Sequence, residues 1–132
     1  MSDVIEEGTP ETRDGLRLLH YLLRLPRPVE DVWAAVATAE GLREWLTGAE
    51  AVEPRLGGAV DLGEPGAGHV TAWDVERVAE YTVEGRGRIR FHLEAAPEGG
   101  TTVRFTHESE GGQEPGWRPR LERLVAALDR GR

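Results

Sequence analysis

The sequence predicts an α+β domain: a strand, two short helices, six strands and a C-terminal helix, with a curved antiparallel sheet wrapped around that last helix. Three observations predict it. Apolar residues recur with period two over much of residues 49–107, with turn residues at each boundary. Apolar stripes at i, i+3, i+4, i+7 stand just before and just after that stretch. The connections between successive strands are short, which suits an antiparallel meander.

The first strand is LRLLHYLLRL, residues 16–25, with Leu19, Tyr21, Leu23 and Leu25 alternating with Leu18, His20, Leu22 and Arg24. It is apolar on both faces, and Pro26 and Pro28 end it because proline cannot donate to a ladder. Asp14-Gly15 is a turn signal. Residues 1–13 are expected as a flexible N-terminal arm, part of which (8–13) can fold back as a short hairpin, and residues 14–132 as a single domain.

Pro28 suits a first helical turn, and Val29, Val32, Trp33 and Val36 follow on one stripe. Thr38 can cap a second helix carrying Leu42, Trp45 and Leu46, ended by Gly48. Trp33 is expected to anchor the first helix in the core, and Trp45 to face the interior space. The strands expected next are 49–53, 58–62, 69–74, 78–84, 88–94 and 101–107. Residues 88–93 (RIRFHL) alternate cleanly, so one face is wet and the other dry. The last helix starts near Pro119, buries Leu121, Leu124, Val125 and Leu128, and stops at Gly131.

Composition narrows the classes of function. Of 132 residues, 39% are hydrophobic and 30% charged, which fits one globular domain. There is no apolar run long enough to span a bilayer and no signal-peptide h-region, so no membrane association is expected and a cytoplasmic location is. No cysteine is present, which excludes disulfides, thiolate zinc sites and cysteine nucleophiles. The net charge of −8 repels a phosphate backbone, so nucleic acid is not an expected partner.

Five segments carry a resemblance: LPRPVEDVWAAVATAEGLREWL, VEPRLGGAVDL, GHVTAWDVERVAEYTV, GGTTVRFTH and PGWRPRLERL. In order and spacing the chain resembles the SRPBCC superfamily, the START-like or helix-grip proteins, over roughly residues 14–129. Within it, the chain is most similar to bacterial relatives of the C-terminal domain of the heat-shock-protein-90 ATPase activator. The resemblance implies a helix-grip fold with a cavity between sheet and C-terminal helix. Two positions depart from the pattern. Asp74-Val75-Glu76 stands where relatives often carry Pro-Pro, which implies a looser turn, and Leu23 stands where they often carry arginine.

On that fold the ligand-binding candidates are Trp45, Trp73, Tyr81, Phe91, Phe105, His107 and Trp117. Tyr81, Phe91 and Phe105 occupy inward positions of three neighbouring strands, and a tyrosine there offers one hydroxyl beside apolar surface. The phase of the Trp73 strand is ambiguous, and Trp117 roofs the cavity or staples the helix start. His107 shares a face with Val103 and Phe105 and is the weak catalytic candidate, since an imidazole can move protons near neutral pH. His20 and His92 fall on the wet face. The histidines have no metal-motif spacing, so neither a metal site nor a cofactor is expected. The loop EGGQEPG, joining the last strand to the helix, has the glycine content of a lid.

Three functions follow. The first is binding of a small apolar molecule in the cavity. The second is a protein-interaction module, cochaperone-like or regulatory. The third is a cyclase- or hydrolase-type enzyme working through His107, the less favoured because no nucleophile constellation or phosphate loop is present. Leu18 and Leu22 on the outer face of the first strand suit either a homodimer contact or cover by the arm.

Overall fold

The computed structural model describes residues 4–110 and 117–130. Its elements run β1 (Ile5–Glu7), β2 (Glu11–Arg13), β3 (Leu16–Leu25), α1 (Val29–Ala37), α2 (Ala39–Arg43), β4 (Ala51–Val52), β5 (Ala59–Asp61), β6 (Ala67–Asp74), β7 (Val78–Val83), β8 (Gly87–Ala95), β9 (Thr101–Ser109) and α3 (Trp117–Arg130). Among the described residues no helix is long and apolar enough to cross a membrane.

The strands make one curved antiparallel sheet in the order β1-β3-β9-β8-β7-β6-β5-β4, with β2 also paired to β3. The meander from β4 to β9 follows the expected hairpins. The first long strand then pairs with the last, from Arg17↔Ser109 to Leu25↔Thr101. This is the helix-grip fold.

The segment expected as an arm ahead of the domain supplies β1 and β2, both lying along β3. Asp14 (φ 53°) and Gly15 (φ 80°) are both left-handed, the backbone of a two-residue hairpin turn. Further along, Gly8 N–H donates to His20 O at 2.7 Å, and Ile5 is buried. The turn after Trp73 is not loose: Arg77 N–H donates to Asp74 O at 2.8 Å, and Glu76 takes the left-handed conformation (φ 65°).

α1 and α2 meet at one residue. Thr38 Oγ1 accepts from Gly41 N–H at 3.0 Å, capping α2, and donates to Ala34 O at 2.7 Å, binding the end of α1. Gly41 is required there, because an added Cβ would collide with the Ala34 carbonyl.

The core lies on the inner face of the sheet. Leu23, Phe91, Val103 and Phe105 from the strands meet Val32 and Val36 of α1, Leu42 of α2, and Leu121 and Leu124 of α3. The outer face is polar and crossed by ion pairs: Arg90 with Glu80 at 3.2 Å and Arg88 with Glu108 at 3.4 Å. Leu18 is buried on that outer face, whereas Leu22 is half-buried.

Candidate functional site

The inner row that begins at Trp73 continues through Ala79, Phe91 and Phe105 to Tyr21. The neighbouring row carries Val70, Tyr81, Ile89, His107 and Leu19. Phe91, Phe105, Tyr81 and His107 therefore point inward as their alternation requires. Trp73 points inward as well. A bulge between Val70 and Ala72 inserts one residue and resets the phase, so no strict alternation could have fixed it.

Five of the seven candidates form one stack. Trp45 meets Phe91 edge-on at 6.0 Å between ring centres, and Phe91 meets Phe105 at 5.2 Å. Phe105 meets Trp117 at 5.0 Å, and Trp117 meets the His107 imidazole at 5.5 Å. These are favourable offset and tilted geometries. The middle of the space between sheet and α3 is thus filled by rings.

The other two stand apart from the stack. The Tyr81 hydroxyl donates to Val36 O at 2.7 Å, so it closes the C-terminal end of α1. Burial holds that phenol above its ordinary pKa, because the phenolate would lose its hydration. Trp73 packs against Trp33 at 5.0 Å, and both rings are partly buried.

Of the two tryptophans of the helix pair, it is Trp45 and not Trp33 that is fully buried. Trp45 is 2% exposed and its Nε1–H donates to Ala35 O at 2.9 Å, whereas Trp33 reaches the surface. The cause is local. α2 ends at Arg43, and a tight turn with Leu46 N–H on Leu42 O at 2.7 Å swings Trp45 beneath α1.

The stack ends at the start of α3, and there the structure adds a residue the sequence reading missed. Arg120 lies on the buried stripe of α3, three residues after Trp117 and four before Leu124. Its guanidinium carbon sits 4.8 Å from the Trp117 ring centre, a cation over an aromatic face. Its Nη2 reaches Glu64 Oε1 at 3.5 Å, a long contact to a carboxylate that is 58% exposed. Helical spacing alone could have flagged it, since an arginine at i+3 from one buried aromatic and i−4 from a buried leucine must point inward.

Among the described residues, two buried donors at this point have no acceptor: Trp117 Nε1 and Arg120 Nη1. Leaving a buried donor unsatisfied costs about 1–3 kcal/mol, so native structures rarely do it without cause. Trp117 itself lies in the first turn of α3 and not before it. Residues 111–116, most of the stretch read as a lid, lie outside the described residues, as does Gly131.

Nearby, a groove of about 480 Å³ opens at the β7–β8 hairpin, lined by Leu16, Val83, Arg86, Arg88, Glu108 and Ser109 among others. None of the seven candidates lines it. It is linked to the donor pair through one residue: Arg86 donates to Glu64 O at 3.2 Å, and the Glu64 carboxylate faces Arg120.

Solved structures share this architecture. CalU16 from Micromonospora echinospora superposes with a TM-score of 0.78 at 20% identity, covering 96% of this chain and 87% of that one. A conserved protein of unknown function, EF2215 from Enterococcus faecalis, gives 0.80 at 17%, covering 93% and 77%. The Aha1 dimer from Colwellia psychrerythraea gives 0.69 at 22%, covering 86% and 97%. No curated protein matches. The family described as activator of Hsp90 ATPase homolog 1-like protein matches residues 26–129, and the chain belongs to that family.

Proposed function

We propose that the protein binds a small, largely apolar molecule between the sheet and α3, at the end of the grip where Trp117 stands. One observation carries this reading: the buried donors Trp117 Nε1 and Arg120 Nη1, which have no acceptor among the described residues, beside the Phe105 and Trp117 rings. Apolar walls with a few convergent polar groups are the usual make-up of a small-molecule site. Because the rings fill the middle of the space, the ligand is held at one end and not along the whole length of α3. The test is a titration of apolar probes against tryptophan fluorescence, in wild type and in Trp117→Phe. A saturable change that disappears in the variant supports the reading, and no saturable change with any probe contradicts it.

A homodimer is the second reading. The Colwellia relative is described as a dimer, and Leu56 and Val75 here are large apolar side chains at 66% and 60% exposure. Light scattering that gives a monomer mass at high micromolar concentration would end it.

A further inference from the structure

We infer that the molecule held at the Trp117 end is an organic monocarboxylate, its flat or chain-like apolar body on the rings and its carboxylate on Arg120 Nη1 and Trp117 Nε1. This rests on the reading that the site binds a small molecule at all, and it adds the chemistry of the head group.

The argument starts from charge. Arg120 is 8% exposed, and a guanidinium taken out of water needs a compensating anion and filled donors. Among the described residues its carboxylate is Glu64, at 3.5 Å and mostly in water, too long and too hydrated to satisfy it. Nη1 is buried and finds no acceptor among the described residues. The ring beneath the guanidinium stabilises the cation but supplies no acceptor.

A neutral carbonyl would fill one donor and leave the charge. A carboxylate fills two donors with two oxygens and balances the arginine. A dianion such as a phosphate monoester fits less well, because one guanidinium already shared with Glu64 would face two new charges. The protein's net charge of −8 sharpens this point, since only a local cation can draw an anion in. Glu64 then acts as a competitor. It holds part of the guanidinium while the site is empty and repels the incoming carboxylate.

The probes are 2-naphthoate and decanoate, each compared with its primary amide by titration of the full chain. In wild type the acids bind about tenfold or more tightly than the amides, a discrimination typical of a charge-assisted pair. In Arg120→Leu, which matches the apolar neighbours on α3, acid and amide bind alike. In Glu64→Gln the acids bind more tightly than in wild type and the amides do not change. If acid and amide bind wild type equally, the carboxylate inference is overturned while the small-molecule reading stands. If neither binds at millimolar concentration, the small-molecule reading falls and takes the inference with it. Should Arg120→Leu fail to fold, Glu64→Gln on the exposed turn decides: an unchanged acid affinity overturns the inference.

Discussion

Arg120 and Trp117 sit one turn apart on α3, the guanidinium over the indole at 4.8 Å, and each keeps a buried donor without an acceptor among the described residues. Removing one of these costs is easy to measure. Arg120→Leu is expected to leave stability within about 1 kcal/mol of wild type or to raise it, because it deletes a buried charge whose carboxylate partner is long and mostly in water. Urea unfolding reads this directly. A loss above about 3 kcal/mol would show that Arg120 is a structural strut.

Trp45 and Trp33 should differ in the opposite sense from the sequence expectation. Trp45→Ala removes a buried indole and its bond to Ala35 O, and is expected to cost about 3–5 kcal/mol. Trp33→Ala leaves a half-exposed ring position next to Trp73 and is expected to cost about half as much or less. Equal midpoint shifts in urea would contradict the burial assignment.

Gly41→Ala places a methyl group against the Ala34 carbonyl at the joint between α1 and α2. The expected loss is about 2 kcal/mol or more, since the helices must part to admit it. Thr38→Ala removes the cap at the same joint and should cost about 1 kcal/mol. Thermal unfolding of the two variants side by side ranks them, and the glycine change should be the larger.

Tyr81 links stability to alkaline pH. Its folded pKa is raised by burial, so the folded state keeps the proton to higher pH than the unfolded chain does. The stabilisation is complete below the unfolded value of about 10 and declines as pH rises above it. Tyr81→Phe should cost about 1–2 kcal/mol at neutral pH, leaving Val36 O unpaired, and should flatten the decline above pH 10. An unchanged alkaline slope would contradict the assignment.

Ile5 is buried against the inner face, paired with Leu23, although only three residues form β1. Deleting residues 1–13 should therefore lower stability by about 2–3 kcal/mol, the burial of one large aliphatic side chain plus the edge pairing. A truncated chain as stable as wild type would show that the edge strands add nothing.

The meander was legible in the sequence because alternation is a direct imprint of a one-faced sheet, as residues 88–93 show. The Thr38 break was legible because a cap has a side-chain signature. Three features were not. The bulge beside Thr71 reset the phase of Trp73 without leaving a glycine or proline as a marker. β1 has one apolar residue, too few for any period. The full burial of Trp45 in place of Trp33 depended on how a tight turn after Arg43 redirected the chain, which helical spacing cannot report. Of the site, the rings were legible as inward positions, but their mutual packing and the inward arginine emerge only when α3 lies on the sheet.

The most direct measurement is the indole N–H spectrum of nitrogen-15-labelled protein, its four tryptophans assigned by single substitutions to phenylalanine, during titration with 2-naphthoate. The Trp117 resonance is predicted to shift saturably and more than the other three, because its N–H gains an acceptor that it lacks among the described residues. A Trp117 resonance that stays fixed while the probe saturates elsewhere, or while nothing saturates at all, would contradict the account.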